Sequence, residues 1–309
     1  MSAGHLALPA LSVVVPVFNE AGNAGLLCRE ICAVVSAMTS DFEIIFVNDG
    51  SRDGTLTELR AELCALNAEK PRLRVLDLDG NFGEAAALSA GFHAARGDRV
   101  VTLDGDGQND PHDIPRLLAA LHGEVRVVTG WRQQRQESTL LRVLPSMIAN
   151  RLIAAVTRLP VHDNGCGLKA YDREVLGDLH LPSGLHRFLP AILGVRAHEV
   201  AEVPVNDRRR QHGVSHYGIS RTVIVLRDVL ALRFILTHPR LFEAAFGVLT
   251  FVAAAVATVA VRRAAPGGAL IALLLASVAL MNWWNLRRFN RAQRIGVYRV
   301  RGEYVREAI

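Results

Sequence analysis

Four short apolar runs dominate the first third of the chain: LSVVVPV (Leu11 to Val17), FEIIFV (Phe42 to Val47), LRVLDL (Leu73 to Leu78) and VVTL (Val100 to Leu103). They are rich in β-branched residues and mostly lack polar alternation, as strands covered on both faces do. Stretches with helical spacing separate them: Ala24 to Met38, Thr55 to Asn67 and Gly83 to Ala95. Strands alternating with helices imply βαβ crossovers, hence an α/β fold with a mostly parallel sheet and helices on both faces. A fifth strand is expected over Val125 to Thr129.

The strand ends carry polar side chains: Asn19 and Glu20, Asp49, Asn81, then Asp104 and Asp106. In a parallel sheet these ends share one edge, where open α/β sheets bind ligands. Neither G-x-G-x-x-G nor the P-loop pattern is present, so a nucleotide would be held another way. The densest group is VVTLDGDGQNDP, Val100 to Pro111. If the chain stays extended there, Asp104, Asp106 and Gln108 point to one side. Oxygen-only ligands suit a hard cation, Mg²⁺ or Mn²⁺, shared with phosphate oxygens of a substrate. A solvated acidic turn is the competing reading. An EF-hand loop is excluded, because its sixth and twelfth positions would be Asn109 and Pro115.

The chain has 309 residues and a formal net charge of +5, with basic residues concentrated after Arg208. That distribution points to a membrane surface or anionic ligands rather than to a generally basic protein, and no nucleic-acid partner is expected. Cys28, Cys32, Cys64 and Cys166 match no zinc spacing or disulfide framework, as expected of a reduced compartment. MSAGHLALPALS lacks the basic start and apolar core of a signal peptide.

Ala244 to Val261 is 18 residues without a charge, and Ala264 to Leu286 is 23. Each is long enough to cross a bilayer, and a buried hairpin in a soluble core is the weaker alternative. Arg221, Arg227, Arg233 and Arg240 precede the pair, Arg287, Arg288, Arg291 and Arg294 follow it, and only Arg262 and Arg263 lie between. The positive-inside rule then places both ends in the cytoplasm. Trp283 and Trp284 fall where an interfacial aromatic belt would lie. Leu140 to Leu159 and Ile219 to Leu236 are apolar with interspersed arginines, and read as interfacial helices or as core helices with one charged face. The expected division is a cytoplasmic catalytic domain (1–217, with 139–159 interfacial), a juxtamembrane amphipathic helix (218–240), a transmembrane hairpin (241–288) and a basic tail (289–309).

VVVPVFNE, VNDGSRDGT, DLDGNFGEAAALSAGF and TLDGDGQNDPHDIP, in that order, closely resemble family 2 glycosyltransferases of GT-A fold. More narrowly, the chain is similar to polyprenyl-phosphate sugar transferases acting on dolichyl or undecaprenyl phosphate. Gly130-Trp131-Arg132, DNGCGLKAY (Asp163 to Tyr171) and RQHGVSHY (Arg210 to Tyr217) continue the likeness, with His216 where the family usually has lysine. Histidine titrates near neutrality, so an anion contact there would depend on pH.

The resemblance implies inverting transfer from a UDP- or GDP-linked sugar to a polyprenyl phosphate at the inner membrane. Pro16, Phe18, Glu20, Val47 and Asp49 would hold the nucleoside; Asp104, Gly105 and Asp106 the donor; Asp104, Asp106 and Gln108 the Mg²⁺ or Mn²⁺. Arg132, Arg210 and His216 would face the diphosphate, and Ser215 with Arg210 the lipid phosphate. Asp163 would be an acceptor-side base or positioning group, so that Asp106, Asp163, Arg132 and Arg210 form the catalytic set. A homo-oligomer is compatible with all of this. The rivals are a polysaccharide synthase, disfavoured by the lack of Q-x-x-R-W and of further spans, and an inactive membrane adaptor, disfavoured by the intact acids and arginines.

Overall fold

The computed structural model describes residues 10–66, 73–133, 151, 153–182, 184–209 and 220–305. They fall into two compact units: the α/β domain through 209 together with 297–305, and a helical unit of 220–296.

The α/β domain runs β1 (Leu11–Val17), α1 (Ala24–Ser36), β2 (Phe42–Asn48), α2 (Thr55–Leu66), β3 (Leu73–Leu78), α3 (Glu84–Ala94), β4 (Arg99–Thr102), α4 (Ile114–Ala120), β5 (Val127–Trp131), β6 (Lys169–Asp172), β7 (Val200–Pro204) and, after the helical unit, β8 (Val300–Val305). One eight-stranded sheet has the order β7-β5-β6-β4-β1-β2-β3-β8. The β4-β1-β2-β3 centre is parallel, as is β5-β7, whereas β6 runs antiparallel to β4 and β5, and β8 to β3. The apolar runs are thus the parallel centre, and every residue of β1, β2 and β3 is buried. The α3 helix lies so close to β1 that a Cβ on Gly91 would strike Val14. α1 presents Leu27, Cys28, Ile31 and Val35 to the same core.

Two polar networks close the sheet. Glu43 of β2 accepts from Ser12 Oγ at 2.7 Å and from Arg74 NH1 at 2.7 Å. Arg74 Nε in turn donates to Glu303 of β8 at 2.7 Å. Arg301 pairs with Asp77 at 3.3 Å on the same edge. The residues expected as a basic tail therefore finish a helix and supply an edge strand. Of their charges, Arg301 and Glu303 meet the buried Asp77 and Arg74 on β3, while Arg291, Arg294 and Arg299 are exposed.

In the helical unit, α5 (Ser220–Thr237) precedes α6 (Pro239–Arg262) and α7 (Pro266–Ile295), and the last two are long and apolar enough to cross a membrane. Their burial is inverted relative to a soluble bundle. Ala253, Ala257, Ala269, Ala272 and Ala279 are buried, while Phe251, Val256, Ile271 and Leu274 are exposed. Small residues that let helix backbones approach, with large apolar residues outside, match helix packing in lipid. Trp283 packs against Gly247 and under the Arg287 guanidinium, 4.8 Å from its ring centroid. Asp228 of α5 is buried and accepts from Arg227 at 2.7 Å, with Arg288 of α7 at 4.0 Å. Only the end of the expected 139–159 helix is described, at 153–157.

Candidate active site

The carboxyl ends of β1 and β2 are joined by their loops. Asn19, at φ 54, accepts from Arg52 N–H at 2.9 Å through its side-chain oxygen and donates its own backbone N–H to Ser51 Oγ at 2.9 Å. Asp53 caps Thr55 and also accepts from Ala21 N–H at 3.1 Å. Pro16 faces Val47 in the β1–β2 register, and Phe18 is 39% exposed beyond the strand end. Glu20 accepts from Asn23 Nδ2 at 2.7 Å. Asp49 uses both oxygens to receive Phe82 N–H at 2.7 Å and Gly83 N–H at 2.8 Å, just before α3. Burial raises its carboxyl against the lowering effect of those two bonds.

Extended backbone stops at Thr102. Gly107 adopts φ 73, and Asp106 Oδ1 receives Gln108 N–H at 3.0 Å, forming a tight Asx turn. Strict alternation from Asp104 to Gln108 therefore does not apply: Gln108 is joined to Asp106 by its backbone. Asp104 is held by Asn109, whose Oδ1 accepts its N–H at 2.9 Å. The Asp104 carboxyl is pushed up to about 8, first by burial, then by the charges of Glu84 and Asp106, against Arg132 and Lys169. Gly105 lies against Pro16 and Val17, where a Cβ would clash, so this turn is seated on the end of β1. A Cβ at Gly167 would fall on the Asp104 carboxylate itself.

Asp104 and Asp106, the former reached past a glycine, offer an all-oxygen donor pair suited to Mg²⁺ or Mn²⁺. Lys169 on β6 is buried and its Nζ donates to the Cys166 carbonyl. Glu84, in the first turn of α3, is 3.3 Å from His186 Nε2. Glu84, Asp104, Asn164, Gly167, Lys169 and His186 line one cleft. Lys169 and Glu84 escaped sequence reasoning. Lys169 lies within DNGCGLKAY, where only Asp163 is given a role, and Glu84 looks like an ordinary first-turn acid.

At the end of β5, Arg132 grips Asp163: Nε to Oδ2 is 2.8 Å and NH2 to Oδ1 is 3.1 Å. Burial works against the guanidinium charge, but Asp163 outweighs it and holds the arginine far above its usual range. Beside this pair, Trp131 stacks on His162 with centroids 4.7 Å apart, and His162 Nδ1 lies 2.6 Å from Glu202 of β7. Asp207 bridges to Asn109, and Arg208 N–H donates to the Gln108 carbonyl at 2.9 Å. Arg208 also clamps Glu30 at 2.8 Å and Asp110, so it is no solvated charge. The predicted residues Arg210, Ser215 and His216 lie outside the described residues.

The glycosyl transferase family 2 model matches residues 12–179, more than half of the chain. The chain belongs to glycosyl transferase family 2. The dodecaprenyl-phosphate galacturonate synthase of Rhizobium johnstonii is 40% identical over 231 residues, covering 74% of this chain and 68% of that protein. The undecaprenyl-phosphate 4-deoxy-4-formamido-L-arabinose transferase of Aeromonas hydrophila is 34% identical over 220 residues, covering 71% of this chain and 66% of that one. The alignments thus span about two thirds of these relatives' length. A crystal structure of Mycobacterium tuberculosis glucosyl-3-phosphoglycerate synthase with Mn²⁺ and UDP-glucose shares the fold, with a TM-score of 0.56 at 21% identity, covering 74% of this chain and 79% of that one. The chain is a family 2 glycosyltransferase with a GT-A-like sheet.

Proposed function

We propose that this glycosyltransferase moves a sugar from a nucleotide-diphosphate sugar to a polyprenyl phosphate, with inversion, at the cytoplasmic face of the inner membrane. The observation that carries the reading is the acidic pair Asp104 and Asp106 near the charges of Arg132 and Lys169, in a chain that also holds two membrane-length apolar helices. Relatives named for polyprenyl-phosphate galacturonate and formamido-arabinose transfer support the acceptor class. The arginine asymmetry around the hairpin supports the orientation.

Asp104 and Asp106 would hold a Mg²⁺ or Mn²⁺, which supplies Lewis-acid stabilisation of charge on the departing diphosphate. Pro16, Phe18, Glu20, Val47 and Asp49 form the nucleoside end, and Gly105 seats the donor-binding turn against the end of β1. Gln108 contributes through the turn that fixes Asp106. A lipid-phosphate oxygen attacks the anomeric carbon as the sugar–diphosphate bond breaks. A phosphate monoester, with a second pKa near about 6, is already largely dianionic at pH 7, so no protein base is required. Asp163 is accordingly a positioning residue: both of its oxygens are committed to Arg132, which it aims and keeps charged. Arg210, Ser215 and His216 are assigned to the phosphates on sequence grounds. Arg210 follows by two residues the Arg208 N–H that is bonded to Gln108.

The test is an assay of enzyme-bearing membranes with undecaprenyl phosphate and a panel of labelled nucleotide sugars. The reading expects one donor to give a labelled organic-soluble lipid. No labelled lipid from any of them would overturn it.

A further inference from the structure

A second group of ligating side chains lies in the α/β domain, apart from the residues described above. His93 is in the last turn of α3; Asp178 and His180 follow the single-turn helix Arg173–Leu176 after β6. One ligating atom from each lies within 4.8 Å of the other two. Asp178 Oδ1 is 3.0 Å from His93 Nε2 and 3.9 Å from His180 Nε2. Tetrahedral bonds of about 2.0–2.1 Å place neighbouring ligand atoms about 3.3 Å apart, a value these two distances bracket.

Tyr298 gives His93 a partner on the ring nitrogen that faces away from Asp178 and His180. Its Nδ1 pairs with Tyr298 Oη at 2.7 Å, on the segment that enters β8. In the tautomer whose Nδ1–H donates to the phenol oxygen, the Nε2 lone pair faces Asp178 and His180. Nε2 is buried and lies 3.0 Å from the Asp178 carboxylate, outside good hydrogen-bond alignment with it. In that tautomer the lone pair and the carboxylate oxygen repel, and a cation ligated by both removes the repulsion. A partner that fixes tautomer and ring orientation is the usual outer-shell companion of a metal-bound histidine. Both histidine side chains are only 21% exposed, whereas Asp178 is 91% exposed, leaving a coordination position open to water.

We propose that His93, Asp178 and His180 bind a divalent cation of the Zn²⁺ class, with Tyr298 orienting His93. Two imidazoles and one carboxylate favour Zn²⁺, Co²⁺ or Ni²⁺ over the Mg²⁺ or Mn²⁺ that an oxygen-only pair takes. The bound cation cross-links α3 to the segment after β6, and through Tyr298 braces the entry to β8.

The test uses the full-length protein in nanodiscs, stripped with chelator and kept in excess Mg²⁺ to fill hard oxygen sites. It is titrated with Co²⁺, followed by visible absorption, and then with Zn²⁺ in competition. The wild type is expected to take up one equivalent in four-coordinate form. Asp178→Asn and His180→Ala should each weaken binding about tenfold or more. Their cation-free melting temperatures should match that of the wild type. His112→Ala removes a ligand from the separate group of Glu30, Asp110 and His112, and should bind like the wild type. No uptake by the wild type, or equal affinity in His180→Ala, would overturn the proposal.

Discussion

Arg132 and Asp163 form a two-bond ion pair in which the carboxylate is buried and the guanidinium side chain is 15% exposed. Removing one partner of such a pair strands a charge, at a cost of about 3–5 kcal/mol. Asp163→Asn should therefore lower the melting temperature markedly and reduce turnover, while the shape of the pH–rate profile stays that of the wild type. A catalytic base would instead take one limb of that profile with it. The double substitution Arg132→Met with Asp163→Leu should recover stability without recovering activity, since two apolar groups leave no charge unpaired.

Gly167 controls the space beside Asp104. Because a Cβ there would overlap the carboxylate, Gly167→Ala should displace Asp104 and cut kcat/KM by about 100-fold, the scale expected when reacting groups shift by an ångström. Melting temperature should change little, because Gly167 lies at the half-buried cleft wall rather than in the core. A variant with normal turnover would show that Asp104 is not needed where the structure places it.

Without a divalent cation, Asp104 makes stability depend on pH. Its carboxyl rises from an ordinary 3.8 to about 8 on folding, chiefly through burial. Between those values the folded chain holds a proton that the unfolded chain has released, so stability falls as pH rises through the window. In EDTA, Asp104→Asn should melt above the wild type at pH 8, and the gap should close toward pH 4. Adding Mn²⁺ at pH 8 should stabilise the wild type and leave the variant unmoved. Melting curves across pH check both statements.

The parallel centre of the sheet was legible because β1 to β4 are buried on both faces and read as apolar runs. β6, β7 and β8 were not. KAYD and VAEVP are short and carry charge, and VRGEYV alternates charges whose partners, Arg74 and Asp77, sit on β3 and are invisible in one dimension. The acids at the strand ends were found for the same reason the strands were. The turn at Gly107 was missed because the sequence pattern is compatible with extended and turned backbone alike. Lys169 illustrates the remaining gap: a lone lysine between Leu168 and Ala170 gives no sign of burial, and it is the antiparallel pairing of β6 with both β4 and β5 that buries it.

β8 supplies a further test of the sheet edge. Arg74→Met strands Glu43 in the interior and should destabilise by about 3–5 kcal/mol. Glu303→Gln should cost less, since that side chain is 38% exposed and Arg74 keeps Glu43. Denaturant titration of the two variants ranks them, and equal losses would contradict the arrangement.

The central claim is tested most directly by the products of a single reaction. Purified enzyme with undecaprenyl phosphate, the donor identified from the panel and Mn²⁺ should release one nucleoside diphosphate per lipid product. Mass spectrometry should find that lipid carrying one phosphate between sugar and prenyl chain. Release of nucleoside monophosphate with a diphosphate-linked lipid, or donor consumption with no lipid product, would contradict the account.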